Sequence, residues 1–262
     1  RRRGPDLQDP FGVPVGPAGP VNDIPGEAVL PDGRGGPHVF VADASAPVLD
    51  DGDHHHLARV LRLRDGDPIT VGDGAGRWGR AVFRSSDEPE LTAEVVVVAE
   101  AESTVAVGFA LIKGGRPELV VQKLTELGVD RILPLTAERS VVRWDDTKAS
   151  AQVERFRRVA REAAMQSRRV WLPQIDEVSA PGEVVVAHGL AVAEHGGDPI
   201  DGSVRALLVG PEGGWTTDEL VDHRTVSLGQ TVLRAETAAI VAGTLLTAIR
   251  DGRVSPPAGP TA

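Results

Sequence analysis

Residues 105–112 have the sequence Val-Ala-Val-Gly-Phe-Ala-Leu-Ile, which contains no polar side chain. A strand that is apolar at every position, rather than at alternate positions, is typical of a parallel sheet covered on both faces. A helix is predicted directly after it, because Pro117 lies near its first position and Gly128 just past its end, as is usual at helix termini. This stretch therefore predicts an α/β domain in the second part of the chain.

Strands and helices continue to alternate up to residue 250. The hydrophobic pattern predicts strands at 131–135, 184–192, 204–209 and 226–228, and helices at 154–167 and 235–250. Such alternation indicates a mainly parallel sheet with helices packed on it. We therefore expect an α/β domain over residues 103–252, followed by a flexible tail at 253–262.

The chain before residue 103 has a different pattern. Short strands are predicted at 38–41, 69–71, 78–84 and 91–99, with a helix at 54–61 whose residues Leu57, Val60 and Leu61 would share an apolar face. Short strands separated by frequent turns favour a small β-barrel or sandwich, here over residues 38–102. Residues 1–37 contain many prolines and glycines and little apolar periodicity, so a flexible extension is expected there.

Composition excludes several kinds of site. The 262 residues include no cysteine, which excludes disulfides, a thiol nucleophile, zinc–thiolate sites and iron–sulfur clusters. The longest apolar stretches fall far short of a membrane span, and no apolar signal region is seen near the first residues. A cytoplasmic protein without a membrane partner is expected.

The charge is unevenly distributed along the chain. The formal net charge is −10, yet residues 131–170 contain ten Lys or Arg against five Asp or Glu. Contact of these arginines with phosphate is one explanation of the local excess. A GC-rich genome, which raises the arginine content generally, is the other, and composition alone favours it.

Three loops follow predicted strands of the α/β domain, at residues 136–140, 210–214 and 228–237. Ligands of open α/β sheets bind beyond the carboxyl ends of the strands, and glycines let the backbone approach a ligand closely. The sequence Gly-Pro-Glu-Gly-Gly at 210–214 lacks the lysine and hydroxyl of a phosphate loop and the spacing of a dinucleotide fingerprint, so a plain tight turn is an equal alternative. Arg234 begins a predicted helix, where the dipole disfavours a cation, and this hints at a site.

Several short motifs in this domain occur together in a known family. They are Gln-Lys at 122–123, Thr-Glu-Leu-Gly-Val at 125–129, Glu-Arg-Ser-Val-Val at 138–142, Glu-Ala at 162–163, Gln-Ser at 166–167, Gly-Pro-Glu-Gly-Gly at 210–214, Leu-Gly at 228–229, Leu-Arg at 233–234 and Glu-Thr-Ala at 236–238. With them, and with His-His-Leu at 55–57 and Val-Leu-Arg at 60–62, the chain resembles the ribosomal RNA small subunit methyltransferase E family. The resemblance covers residues 38–250, and Met165 and Trp215 depart from its pattern.

The resemblance implies methylation of N3 of a uridine in 16S rRNA, with S-adenosylmethionine as the donor. It also implies a SPOUT-type α/β domain with a deep trefoil knot, preceded by a PUA-like RNA-binding barrel. The loops at 210–214 and 228–237 would be the knot crossings and would hold the donor largely through backbone groups. The donor-binding residues expected on this basis are Thr136, Leu208, Val209, Gly210, Gly213, Gly214, Leu228, Gly229, Leu233, Glu236 and Thr237.

The reaction suggests the catalytic candidates. Uridine N3 is a poor nucleophile while it carries its proton, so catalysis should remove that proton or stabilise charge on the neighbouring carbonyl oxygens. The candidates are Arg139, Arg169 and Arg234, with Glu212 as the carboxylate. Phosphate contact is the alternative role of Arg139 and Arg169, and anchoring of loop amides is that of Glu212.

RNA contacts are expected mainly on the first domain. The candidates are His56, Arg59, Arg62, Arg64 and Arg143. No metal is expected, because the adjacent histidines at 54–56 would point in different directions on a helix and no second ligand cluster accompanies them.

The expected partners are 16S rRNA, within an assembled or assembling 30S subunit, and a second copy of the chain. The helix at 235–250 carries more apolar surface than one sheet face needs, and SPOUT relatives build their site at a two-fold interface. Two other functions stay open. One is a SPOUT enzyme acting on another RNA, such as a ribose 2′-hydroxyl in tRNA, and the other is an RNA-binding module that has lost catalysis.

Overall fold

The computed structural model describes residues 30–113, 116–221 and 223–255, which form a five-stranded sheet followed by a six-stranded sheet. Most of the predicted extension at 1–37 and of the predicted tail at 253–262 lies outside the described residues. The part of the extension that is described includes a 3-10 helix at Gly33–Gly35. Next to it, the Thr70 amide donates a hydrogen bond to the Pro37 carbonyl (2.9 Å), so this segment lies against the first sheet.

The first sheet is short-stranded and mainly antiparallel. Its strands are β1 (His38–Phe40), β2 (Pro68–Gly72), β3 (Arg77–Val82), β4 (Glu90–Leu91) and β5 (Val96–Val97). β1 pairs in parallel with β2, whereas β2, β4 and β5 all pair antiparallel with β3. The single strand predicted at 91–99 is therefore wrong, because only two short and separate stretches of that region pair with β3.

The helix predicted at 54–61 begins earlier and changes type. α1 (Asp51–His55) starts after Asp50, whose side chain accepts a hydrogen bond from the Asp53 amide (2.7 Å), and the chain continues as a π-helical turn at His56–Val60. Leu57 is buried in the core of this domain, whereas Val60 and Leu61 are exposed. Of the three residues predicted to form the apolar face, only Leu57 therefore packs in the core.

The second sheet has six strands in the order β11-β9-β10-β6-β7-β8. They are β6 (Ala106–Ala110), β7 (Arg131–Leu135), β8 (Gln174–Ile175), β9 (Leu190–Pro199), β10 (Ala206–Val209) and β11 (Arg224–Ser227). Every pairing in this sheet is parallel, and all five residues of β6 are buried. The prediction of an α/β domain with a mainly parallel sheet is confirmed.

Three long helices cover one face of this sheet. They are α2 (Arg116–Glu126), α3 (Asp146–Ser167) and α5 (Ala235–Arg250). Val120, Phe156 and Ala239 of these helices are buried in one cluster with Val107 and Phe109 of β6. None of the helices in the described ranges is long and apolar enough to cross a membrane.

α3 is longer than the helix predicted at 154–167. Asp145 precedes it and accepts a hydrogen bond from the Lys148 amide (2.8 Å), so an N-cap fixes the start at Asp146. The helix ends at Arg168, which takes the left-handed conformation (φ 59°).

The opposite face of the sheet is covered by shorter segments, where Ala106, Ala110, Leu208 and Trp215 form a second buried cluster. The covering segments are a 3-10 helix at Pro181–Glu183 with the residues after it, and α4 (Thr217–Leu220). The strand predicted at 184–192 is largely wrong, because Val184 and Val186 pack on this face instead of pairing in the sheet, and Val185 is exposed. β9 starts at Leu190, where it can pair with β10 on one side and β11 on the other.

Hydrogen bonds hold the first domain on α3 and on the segment after it. The Arg161 guanidinium donates to Asp53 Oδ2 (2.6 Å) and to the Phe40 carbonyl (3.0 Å). Trp171 Nε1 donates to the Val98 carbonyl (3.1 Å). A side chain at Gly76 would place its Cβ 2.5 Å from the Trp171 ring, so the first domain approaches the second as closely as a backbone can.

Candidate active site

A pocket of about 180 Å3 lies beyond the carboxyl ends of β10 and β11 and beside the middle of β9. Its wall after β10 is formed by the loop at 210–215, and its wall after β11 by the segment at 227–235 that leads into α5. The lining residues are Ala193, Glu194, His195, Val209, Gly210, Pro211, Glu212, Gly214, Trp215, Ser227, Leu228, Gly229, Thr231, Val232, Leu233, Ala235 and Ala238. This is the position at which ligands of open α/β sheets bind.

The loop at 210–215 is shaped by a glycine and a tryptophan. Trp215 is 5% exposed, and its Nε1 donates to the Ala193 carbonyl of β9 (3.2 Å). A Cβ on Gly210 would lie 2.8 Å from the indole, so the strand end and the ring can pack this closely only because residue 210 has no side chain. The Gly214 amide donates to the Pro211 carbonyl (2.8 Å), with Gly214 in the left-handed region (φ 69°). This part of the wall therefore consists of the two glycines and one indole, beside Pro211 and Glu212.

Arg139 holds this loop from the neighbouring loop after β7. Its Nη1 donates to the Gly213 carbonyl (3.1 Å) and to the Trp215 carbonyl (3.0 Å). A second link joins the same two loops, because the Glu138 amide donates to Glu219 Oε1 (2.7 Å) at the start of α4. Arg139 is exposed and does not itself line the pocket, so its contacts in this structure are with the loop that forms the pocket wall.

Two carboxylates and an arginine lie at the rim. Arg116 Nη1, in the first turn of α2, is 3.8 Å from Glu212 Oε1 and 3.6 Å from Glu236 Oε1. The Glu236 side chain is only 15% exposed, and its Oε2 is buried without a hydrogen-bond partner among the described residues. Arg116 thus connects the loop after β10 with the start of α5, and the carboxylate of Glu212 remains on the pocket wall.

The sequence matches the family model described as RNA methyltransferase domain over residues 99–247, and that described as RNA methyltransferase PUA domain over residues 49–96. It is 36% identical over 231 residues to ribosomal RNA small subunit methyltransferase E of Mycobacterium bovis, which covers 76% of this chain and 86% of that protein. The chain belongs to this family. The protein of the same name from Bacillus subtilis is 30% identical over 220 residues, covering 72% of this chain and 84% of its own.

Solved structures of methyltransferases share the fold of this member of the methyltransferase E family. A putative methyltransferase from Legionella pneumophila, in complex with its cofactor S-adenosylmethionine, superposes with a TM-score of 0.69 at 26% identity and covers 80% of this chain and 96% of its own. Methyltransferase E of Neisseria gonorrhoeae bound to S-adenosylmethionine shares the fold, with a TM-score of 0.70 at 24% identity, covering 81% and 97%. The predicted family and the predicted order of domains, PUA-like before α/β, are confirmed.

About half of the predicted donor-binding residues line the pocket of this family member. Those that do are Val209, Gly210, Gly214, Leu228, Gly229 and Leu233, whereas Thr136, Leu208, Gly213, Glu236 and Thr237 do not. Leu208 is fully buried in the cluster on the other face, because neighbouring side chains of a strand point to opposite faces. The Thr136 amide donates to the Ser179 carbonyl (2.9 Å), which ties that residue to the segment after β8.

The four predicted catalytic residues are not brought together. Glu212 lies on the pocket wall, and Arg139 lies behind the adjacent loop. Arg234 is the exposed residue before α5, and its side chain makes no capping bond. Arg169 lies at the other edge of the sheet, where its Nη1 donates to the carbonyls of Thr125 (3.0 Å) and Val129 (2.8 Å).

The surroundings of Arg169 explain its properties. Its side chain is 13% exposed, and its Nη2 lies 3.9 Å from Asp130 Oδ1, just before the amino end of β7. Burial lowers the pKa of this guanidinium to about 10, and Arg250 adds to the effect while Asp130 opposes it. The side chain therefore stays charged at neutral pH, and its hydrogen bonds hold α2 and the start of β7 together.

The predicted RNA contacts lie at the surface. His56, Arg59, Arg62 and Arg64 are exposed on the first domain, and Arg62 is left-handed (φ 58°). Arg143 is also exposed and donates to the Glu138 carbonyl (2.8 Å). Among residues 30–113, 116–221 and 223–255, no group of three or more His, Cys, Asp or Glu could hold a metal ion.

Sequence reasoning missed three features of the pocket. Glu194 and His195 line it from β9, but the predicted strand ended before them. Trp215 was noted only as a departure from the family pattern, although its indole forms part of the wall. Arg116 was not considered, although an arginine in the first turn of a helix opposes the dipole as Arg234 does and could have been found by that signal.

Proposed function

We propose that this chain methylates N3 of a uridine in 16S rRNA of the small ribosomal subunit, with S-adenosylmethionine as the donor. The observation that carries the proposal is the glycine-walled pocket beyond β10 and β11, in a chain of the methyltransferase E family. The donor, when bound, supplies a methyl group on a sulfonium. The enzyme must hold that group in line with the acceptor nitrogen, because positioning accounts for much of the acceleration of such a reaction.

The pocket residues fit this donor. The loops at 210–214 and 228–233 offer amides and carbonyls at close range, because three of their lining residues are glycines. Glu194 and Glu212 place carboxylates on the wall, and these would favour the positive charges of the donor's sulfonium and ammonium groups. The knot predicted for these two loops remains part of the proposal.

The acceptor requires groups at the mouth of the pocket. Uridine N3 must lose its proton, and the charge that remains spreads to the carbonyl oxygens beside it. We assign Glu212 either to accepting the N3 proton or to anchoring the loop. We assign Arg234 to stabilising the negative charge that develops on the uracil, since preorganised donors of this type stabilise such charge. Arg139 has either the same role or that of holding the loop at 210–215. Arg169 we assign to anchoring of the sheet edge rather than to catalysis, because its hydrogen bonds are made to Thr125 and Val129.

The proposed partners follow from the same reaction. RNA would contact His56, Arg59, Arg62 and Arg64 on the first domain and Arg143 on the second, all of which are exposed. The substrate is proposed to be a 30S subunit, assembled or assembling, in the cytoplasm. A homodimer through α5 is proposed as the active form, so a sedimentation mass of two chains is expected at micromolar concentration.

The experiment uses the full chain, labelled S-adenosylmethionine, and 30S subunits from a bacterial strain that lacks its own enzyme of this family. We expect 3-methyluridine at one position of 16S rRNA, identified by nucleoside mass spectrometry and mapped by fragment analysis. Protein-free 16S rRNA serves as the comparison substrate, and tRNA as the control for another target. A 2′-O-methylated nucleoside, or methylation of tRNA alone, would contradict the proposal.

A further inference from the structure

A second cavity, of about 680 Å3, lies between the first domain and α3. Its walls come from β1, the helical turn at His56–Val60 and the carboxyl end of α3. It shares no lining residue with the pocket beyond β10. Its volume lies within the range of small-ligand sites, and the established family membership assigns it no role.

Arg168 is the unusual residue of this cavity. Its Nη1 is buried and has no hydrogen-bond partner among the described residues. A buried guanidinium nitrogen without a partner is costly. An arginine at the end of a helix would ordinarily donate to the last carbonyls, yet this side chain makes no such bond. Its position on the cavity wall therefore points to an anion that arrives from outside.

The backbone of Arg168 gives independent support. Its φ is +59°, a conformation in which glycine is usual at the end of a helix and in which other residues are strained. Such strain persists where the surroundings impose it and is concentrated at functional sites. Arg62, the other left-handed non-glycine residue of the described chain, follows directly after Leu61, which lines the same cavity.

We infer that this cavity holds one unstacked nucleotide of the RNA substrate, with the Arg168 guanidinium on its phosphate. Leu61 and Met165 offer apolar surface to a base, and the Gln166 amide can both donate to and accept from a base edge. Proteins that read RNA in this way take up unstacked bases, and arginines contact the phosphates. This inference rests on the proposed function, because it requires an RNA substrate.

The other charged groups of the cavity leave Arg168 available. Asp53 is neutralised by Arg161, whose Nη2 lies 2.6 Å from its Oδ2. Burial, with the nearby Arg168, lowers the pKa of His38 to about 4, so this ring is neutral at pH 7. Glu162 is exposed and also borders the adjacent groove between α2 and α3, and His56 is exposed at the entrance.

The test replaces Arg168 by glycine in the full chain. Arg168→Gly removes the guanidinium and also relieves the left-handed strain, so the variant should fold with an unchanged or higher Tm. We expect its affinity for 30S subunits from a strain lacking the family enzyme to fall about tenfold, as for loss of a charge-assisted hydrogen bond, and the salt dependence of binding to decrease by about one ion. Arg168→Lys should restore part of the affinity, and Arg253→Gly, which removes one exposed arginine elsewhere, is the control for net charge.

The outcomes separate this inference from the proposed function. If Arg168→Gly binds the subunits with wild-type affinity and salt dependence, the nucleotide site is wrong even when methylation proceeds normally. If the wild-type chain binds subunits but forms no 3-methyluridine, the proposed reaction fails, and the Arg168→Gly binding data still decide about the cavity. Binding of inorganic phosphate that depends on Arg168, combined with an unchanged affinity of Arg168→Gly for 30S subunits, would show that the cavity is a small-anion site. That result would also overturn the inference.

Discussion

The two edges of the second sheet each contain an arginine that donates to two backbone carbonyls. At the carboxyl edge, Arg139 binds the carbonyls of Gly213 and Trp215, and at the amino edge Arg169 binds those of Thr125 and Val129. Arg139 is exposed beside an open pocket, whereas Arg169 is 13% exposed within a closed network. The same hydrogen-bond pattern therefore has different consequences. Arg139 fixes a loop of the open pocket, whereas Arg169 stabilises the packing of the domain.

Asp130 is the centre of the amino-edge network. It accepts from the Val105 amide (2.8 Å) and from Arg250 Nη1 (2.7 Å), and it lies 3.9 Å from Arg169. These contacts connect the starts of β6 and β7 with the end of α5. At the carboxyl edge, Arg116 lies between Glu212 and Glu236 at the rim, and the pocket between the glycine loops stays open for a ligand.

The largest expected effect is on stability. Arg169→Ala removes the donor to the Val129 carbonyl and one of the two arginines beside Asp130, whereas the Thr125 carbonyl keeps the Gly128 amide (3.1 Å). Removal of a partner from a buried charged network typically costs about 3 kcal/mol. We expect the free energy of unfolding to fall by that amount in urea titrations, while the turnover of the folded fraction stays near that of the wild type. Arg84→Ala, in which a surface arginine of the first domain loses its ion pair with the exposed Glu90, should change stability by less than about 1 kcal/mol.

One outcome of these measurements would contradict the structural role assigned to Arg169. If Arg169→Ala keeps wild-type stability but loses turnover at saturating RNA and donor, its role is catalytic and the two edges are functionally alike.

The second prediction concerns the open edge. Gly210→Val would place Cβ 2.8 Å from the Trp215 indole, so the ring or the strand end must move into the pocket. We expect the affinity for S-adenosylmethionine, measured by calorimetry, to fall about 100-fold, since two further methyl groups must be accommodated in a well-packed region. Gly182→Val is the matched control, because nothing lies within 4 Å of a Cβ at that position. Unchanged donor affinity in a folded Gly210→Val protein would place the donor elsewhere.

The sequence predicted the sheet well because the deciding signal is local. The apolar stretch at 105–112 contains β6, which is buried at all five positions, and the glycine loops were found from residue type and motif. Strand limits were harder, since β9 is set by pairing on both of its sides and not by the valines at 184–186. Glu194 and His195 were missed for that reason.

Whether an arginine lies at the amino or the carboxyl edge of the sheet depends on whether it follows a helix or a strand. Arg169 follows the end of α3, and a helix that connects parallel strands returns the chain to the amino edge of the sheet. Arg139 follows the end of β7 and so lies at the carboxyl edge. This rule was available from the predicted elements, but the motif similarity grouped the two residues. The buried partners of Arg169 could not be predicted, because they come from α2, β7 and α5.

The smallest expected effect separates the two possible roles of Arg139. Arg139→Ala removes one exposed and one half-buried hydrogen bond from the loop that carries Gly214 and Trp215, each worth about 1 to 2 kcal/mol. If Arg139 acts through the loop, donor affinity should fall about tenfold, and the single-turnover rate at saturating donor and 30S subunits should stay close to that of the wild type. Arg143→Ala, which removes a neighbouring exposed arginine that donates to the Glu138 carbonyl, should leave donor affinity unchanged.

A direct catalytic role gives the opposite pattern. An arginine that stabilises the uridine anion acts mainly in the transition state, so its loss would lower the saturated single-turnover rate, on the order of 100-fold for one preorganised donor, with donor affinity nearly unchanged. Arg139→Lys sharpens the distinction, because lysine keeps the charge but lacks the planar fork that reaches two carbonyls at once. Recovery of rate without recovery of donor affinity in Arg139→Lys would assign Arg139 to the reaction, and loss of affinity in both variants at an unchanged rate would assign it to the loop.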